Sequence, residues 1–378
     1  MGLNNTDCVF FYNMSGSNPS DLLYTDWQET ATEILMPILL VFGLITNFSF
    51  ILMVYRVPDM RITINMYLVS LAVADASYLI TSISDRLVTY AISPLYGDVG
   101  NRGTAGCILP RFFTYTSAIA SEMHILVLAV ERYYCVCRPL KRLLTSLWLV
   151  SAILSISLTA PAFANFRLYC LVHWESKYVD PPETYGECHS IGYTDETTDI
   201  DNVDIYFHIT QTFAFFASVI VSNVLYVLVL RHFHRGNASL QNRGMAQTTQ
   251  FRNEQIKKYF NRMLCLNGLV YFVLLAPFNI SSFLHFVYTL KGQYIPVEPH
   301  VDDILNTAFR LLLYVNSCIN PLVYGAFNPR YRKAFVVACL PTRFSKCLIK
   351  NAGQSRQRPP TSDKTNTLTM ENLTTDNM

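Results

Sequence analysis

The chain is poor in charge. Asp, Glu, Lys and Arg make up 15% of its 378 residues, well below the roughly 25% of soluble proteins. That scarcity argues against the two or three soluble domains its length would allow. The net charge is only +2, and the basic residues are sorted along the chain rather than pooled, so no nucleic acid is expected as a partner. Met1 to Tyr24 lacks a basic start followed by an apolar core. The first apolar helix is therefore expected to target the chain to the membrane itself. Tryptophan is rare, with only Trp27, Trp148 and Trp174. Internal repeats are absent, which speaks against the matched halves of many transporters.

Apolar residues are abundant, at 51%. Runs that meet the ~20 residues needed to cross a bilayer core occupy 33–55, 64–91, 106–136, 144–167, 205–231, 259–288 and 303–325. Lipid cannot satisfy loose backbone groups, so each run is expected to be a helix. The fold class predicted is an all-α membrane protein, a seven-transmembrane-helix bundle with an amphipathic eighth helix. Residues 1–32 are expected to form an extracellular glycosylated tail and 33–327 the transmembrane domain. Residues 328–339 form the amphipathic helix, where basic and apolar residues alternate, and 340–378 a disordered cytoplasmic tail.

Lys and Arg fix the orientation. Arg56 and Arg61 follow span one; Arg138, Lys141 and Arg142 follow span three; Arg231, Arg235 and Lys257 are among six after span five; Arg330, Arg332 and Lys333 follow span seven. That side is the cytosol, and the amino terminus lies outside a multi-pass plasma-membrane protein. The opposite loop between spans four and five is acidic. Sequons at Asn4 and Asn13 sit in the outer tail and are candidate glycosylation sites. Cys8, Cys107, Cys170 and Cys188 fall on the oxidising side. Cys339 and Cys347 fall inside, as palmitoylation sites or as unmodified thiols.

Short motifs punctuate the spans. Leu71-Ala72-Val73-Ala74-Asp75 lies in span two, Glu131-Arg132-Tyr133 ends span three, and Asn320-Pro321-Leu322-Val323-Tyr324 ends span seven. Charged and helix-breaking residues are expensive in a bilayer and usually mark function. In this order, they make the chain resemble a rhodopsin-like (class A) G-protein-coupled receptor over roughly 33–339. The resemblance implies a sodium ion held by Asp75 with Ser121, Asn316, Ser317 and Asn320, although a hydrogen-bonded cluster without metal fits the same residues. It implies that Arg132 meets a G protein when span six swings out. Tyr226 and Tyr324 would approach each other in that state, and Leu140 would pack on the G protein. Pro277 and Pro321 bend their helices by removing a backbone donor. A disulfide between Cys107 and Cys188 is also implied.

The chain departs from the family at four linked places. Ser218 stands for a span-five proline, Glu122 for an apolar residue in span three, Tyr271 for Phe and Leu275 for Trp in span six. Together they suggest a more polar switch. Glu122 could pair with Tyr271 or Ser218, or simply face His124 or another polar neighbour.

Amine and retinal ligands are argued down. Thr114 stands where amine receptors carry Asp, and Tyr314 where opsins carry Lys. The stretches from Met60 to Asp75 and from Arg310 to Ser317 resemble the thyrotropin-releasing-hormone receptor group. In that group, the counterparts of Tyr115 and Arg310 contact a small amidated peptide. Arg111, which shares a helix face with Tyr115, and Gln211, Asn279 and His285 are further ligand-site candidates. Arg310 could instead bridge to Asp85 or Glu33. The long loop 168–204 resembles the hairpin lids of peptide receptors. No catalytic residue and no resident cofactor are expected. The partners implied are a small neuropeptide, a heterotrimeric G protein, arrestin, receptor kinases and membrane lipid. A constitutively active or decoy receptor, or a transporter or channel, would fit parts of the same sequence.

Overall fold

The computed structural model describes residues 10–13, 23–96, 98, 102–137, 166–173, 185–190, 202–241, 248–291, 293, 295–339. We label α1 Asp26–Arg56, α2 Thr63–Ile92, α3 Gly103–Cys137, α4 Asn202–Gln241, α5 Thr248–Leu290, α6 Pro299–Phe327 and α7 Pro329–Cys339. Thr25 opens α1 with a capping box, its hydroxyl taking the Gln28 N–H while the Gln28 side chain returns to the Thr25 N–H. The helix then passes through a π-helical turn at Ala31–Leu35. Segments of α1 to α5 are each long and apolar enough to cross a membrane.

The helices close into a ring. Each of α1 to α5 packs on the next, and α6 closes the ring against α1. The outward face of α1 shows why these sequences fold this way. Ile34, Ile38, Val41, Phe42, Ile45, Phe48, Leu52 and Tyr55 recur at helical spacing and are all exposed. Asn47, Asn65, Asp75, Ser121, Asn316 and Asn320 are buried instead. Apolar residues outside and polar residues inside is the arrangement a lipid solvent favours. Thr46 donates to the Cys318 carbonyl at 2.8 Å, and Asn47 to the Ser317 carbonyl at 2.9 Å. Gly43 makes this approach of α1 to α6 feasible, because a Cβ there would meet Leu79 Cδ1 and lie 2.7 Å from Cys318 Sγ.

The described bundle is all-α as expected, and three short strands lie outside it: β1 Phe10–Asn13, β2 Phe166–His173 and β3 Tyr185–Ser190. β2 and β3 pair antiparallel, the hairpin implied for the long loop, and β1 adds a parallel third strand from the amino-terminal tail. Span four was expected to run to 167, but β2 begins at Phe166. The charged Arg167 favours leaving the lipid there. The rest of that span, with Trp148 and Leu140, lies outside the described residues, as do Asn4, Cys8 and Cys347. The side chains of Asn13, Cys107, Cys188, Gln211 and Cys339 also lie outside them, so the disulfide, sugar and lipid sites receive no geometry.

Helix α7 packs at the end of the bundle where α1 and α6 finish and α2 begins. Asn328 takes the Arg330 N–H at 3.0 Å at the bend. Arg56 of α1 donates to the Ala338 carbonyl at 2.6 Å and so fastens the far end of α7.

Candidate functional site

At the centre of the bundle Asp75 is fully buried. Ser121 Oγ donates to its Oδ1 at 2.7 Å, and Asn320 Nδ2 donates to its Oδ2 at 2.7 Å. Ser317 is a third hydrogen-bonding neighbour. Asn316 Oδ1 is buried and, among the described residues, accepts no hydrogen bond. The predicted polar cluster is therefore assembled from α2, α3 and α6, and it retains one orphan oxygen. Its oxygens suit a small hard cation.

One layer towards α7, Glu131 Oε2 lies 3.3 Å from Arg132 Nε. Tyr226 and Tyr331 act electrostatically on that guanidinium. Tyr226 and Tyr324 are both buried, and Tyr324 Oη has no hydrogen bond among the described residues. Tyr133 packs edge-on against Tyr134 at 5.6 Å. Tyr331 was not singled out from the sequence. From α7 it inserts fully into the bundle, stacks on Phe50 at 6.0 Å and donates its hydroxyl to Asn65 Oδ1. Burial pushes its phenol up, against the pull of Arg132 and Arg330. Its signal was a tyrosine on the apolar face of the amphipathic helix, which sequence alone could not assign to a partner.

The four altered positions are brought together. Ser218, Tyr271, Glu122 and Leu275 are all buried. Ser218 Oγ and Tyr271 Oη stand 3.4 Å apart, and Glu122 acts electrostatically on Tyr271. Glu122 Oε2 is buried without a hydrogen bond among the described residues. His124 is engaged by Ser70 Oγ at 2.6 Å and by the Ala120 carbonyl. Leu275 and Tyr271 join one apolar cluster with Phe215 and Ile125. Pro277 lies inside α5, just beyond it. Pro321 lies inside α6.

The ligand-site candidates gather towards the strand end of the bundle, and several are already occupied. Thr114 donates to Thr81 Oγ1 at 3.2 Å. Tyr314 is fully buried, with its hydroxyl 2.8 Å from Ser82 Oγ and its ring 5.7 Å from Tyr78. Asn279 donates to the Leu275 carbonyl of its own helix at 3.0 Å. His285 ties α5 to α6 through Asp302 at 3.3 Å. Arg111 and Tyr115 each engage neighbours, and Tyr115 is among those acting on Tyr78. Arg310 is half-buried and in no salt bridge among the described residues. Its two expected structural partners are committed elsewhere: Asp85 is ion-paired with Arg102, and Glu33 accepts from Tyr90 at 2.6 Å.

With this layout in view, sequence comparison is decisive. Residues 46–324 match the profile described as 7 transmembrane receptor (rhodopsin family). The chain belongs to that family. Its members are signalling receptors of the membrane rather than enzymes. Among curated relatives, growth hormone secretagogue receptor type 1 of Sus scrofa is 26% identical over 298 residues, covering 78% of this chain and 77% of that receptor. Thyrotropin-releasing hormone receptor of Bos taurus is 23% identical over 349 residues, covering 86% and 82%. The Gallus gallus thyrotropin-releasing hormone receptor is 24% identical over 326 residues.

Proposed function

We propose that this receptor binds a small peptide hormone outside the cell and promotes nucleotide exchange on a heterotrimeric G protein inside. The observation that carries the first half is its similarity to two groups of receptors named for peptide hormone or secretagogue signals, over three quarters of the chain or more. A half-buried Arg310 outside any described salt bridge supports it, since a guanidinium can present two parallel donors to a carbonyl or carboxylate. The second half rests on the inner Glu131–Arg132 pair beside Tyr226, Tyr324 and Tyr331. With the strand end outside, the β-hairpin covers the ligand entry and α7 lies along the inner leaflet. Arrestin and receptor kinases would act on the carboxy-terminal tail.

Asp75, Ser121, Asn316, Ser317 and Asn320 would hold a sodium ion, the orphan Asn316 oxygen among its ligands. The ion would supply positive charge that stabilises the ionised carboxylate and the resting packing of α2, α3 and α6. Family membership disfavours a transporter or channel.

A screen of small peptides, each as free acid and as amide, against cells expressing the chain tests the proposal. A ligand-dependent G-protein response supports it. Ion flux independent of G protein, or full signalling with no peptide at all, would overturn it.

A further inference from the structure

Arg86, which no motif contains, lies near the strand end of α2 and is half-buried. It donates to Tyr96 Oη at 3.2 Å, and its Cζ sits 5.5 Å from the centre of the Tyr96 ring. It also acts electrostatically on Tyr314. Arg310, from α6, acts on Tyr78 and on the same Tyr96. Ser82 and Tyr314 meet across α2 and α6 at 2.8 Å; Arg86 stands one helical turn beyond Ser82 and Arg310 one turn before Tyr314, so the two guanidiniums come from facing turns of neighbouring helices that run in opposite directions.

Tyr96 lies just beyond α2 and reports the sign of the local potential. Burial and Asp303 both oppose its ionisation, yet Arg86 first, and Arg310 after it, hold the phenol below its ordinary value of 10.0. Positive charge prevails at that hydroxyl. Asp303 also bears on Tyr96, but less than either arginine does. Asp85 lies within electrostatic reach of Arg86, but its Oδ1 is held by Arg102. Asp302 is held by His285 and by Asn306 at 3.0 Å. Asp98 bears on Tyr24. Neither Arg86 nor Arg310 is in a salt bridge among the described residues. Two cations near one another in a site of low dielectric repel, and an anion between them relieves that cost.

We propose that Arg86 and Arg310 together seat a carboxylate, so the natural ligand is a peptide carrying a free acid group, at its carboxy terminus or on a side chain. Arg86 is the residue that selects acid over amide. A neutral amide would leave the second guanidinium uncompensated, and such an unmet charge discriminates between ligands. This inference rests on the strand end being the ligand pocket.

The test uses the full chain in nanodiscs, with thermal unfolding as readout. The probes are N-acetyl-leucine and N-acetyl-leucinamide, which differ at the terminus. N-acetyl-glutamyl amide and N-acetyl-glutaminyl amide differ at the side chain. The acid of one or both pairs should raise the unfolding temperature of the wild type, and its amide should not; which pair responds identifies the source of the carboxylate. Arg86→Gln and Arg310→Gln should each weaken acid binding by about tenfold, the scale of one charge-assisted contact. Arg86→Lys, which keeps the charge, should retain part of the preference and shows whether loss in Arg86→Gln is a folding defect. Equal shifts by acid and amide in the wild type, or an undiminished preference in Arg86→Gln, would overturn the proposal. A peptide amide that drives GDP release as well as its acid would overturn it and leave the receptor reading intact. Acid preference with no peptide ever driving release would do the reverse.

Discussion

Asn320 of the seventh span donates its side-chain N–H to Asp75 of the second at 2.7 Å, deep in the bundle. Ser121 of the third span holds the other carboxylate oxygen at the same distance. One acid thereby joins three helices, and any motion of α6 must break or reshape that junction. If sodium also sits there, replacing it with choline should raise basal nucleotide exchange in the wild type by about fivefold or more, the lower range of coupling energies. Asp75→Asn should abolish the sodium response. A wild type indifferent to sodium would leave only the hydrogen-bonded cluster.

Glu122→Gln keeps the shape and replaces the carboxyl group beside Tyr271 with an amide. If the Ser218–Tyr271–Glu122 cluster is the switch, basal and peptide-driven exchange should both shift by about fivefold or more. Tyr271→Phe should move them in the same direction. Unchanged signalling in both variants would reduce Glu122 to packing.

Gly43→Ala should destabilise the chain, because the new methyl meets Leu79 Cδ1 and Cys318 Sγ. Overpacking of this kind costs about 1–3 kcal/mol. Cys318→Ala in the same background should recover part of the loss in thermal unfolding. Wild-type stability for Gly43→Ala would mean that α1 and α6 approach less closely than described.

Tyr24 lies edge-on to both Tyr90 and Tyr96, with ring centres 4.9 and 5.3 Å away. Burial pushes its phenol from the ordinary 10.0 up to about 12, against the pull of Arg86. A raised value disfavours the phenolate in the folded state, so its contribution is intact below pH 10 and is lost as pH rises from about 10 to 12. Tyr24→Phe should flatten the fall in unfolding temperature over that window. An alkaline limb identical to the wild type would remove Tyr24 from the linkage.

Much of this architecture was legible in the sequence because lipid imposes a length and a side on every span. Asp75, Arg132 and Asn320 could be singled out because such residues are costly at that depth. Partners were harder to read. Arg86 meets Tyr96 across the turn after α2, and Tyr331 reaches Asn65 from a helix 266 residues away. No periodicity encodes those meetings. Asp85 was a candidate partner for Arg310 on charge alone, and geometry assigns it to Arg102 instead. The β1 strand was missed because its four residues, FFYN, carry too short a pattern to distinguish strand from loop.

Arg310→Ala removes one guanidinium from the proposed pocket. It should reduce the potency of the best peptide by about tenfold or more, as loss of a charge-assisted hydrogen bond does. Measured dose–response curves that superimpose on the wild type would place the ligand elsewhere.

The central claim is that a signal at the strand end frees Arg132 at the other. The direct measurement is GDP release from purified Gα subunits by the chain in nanodiscs, with and without the best peptide from the acid and amide screen. The expected result is a peptide-dependent acceleration that Arg132→Ala abolishes while peptide binding persists. Peptide binding that never accelerates release from any Gα, or acceleration that survives Arg132→Ala, would contradict it.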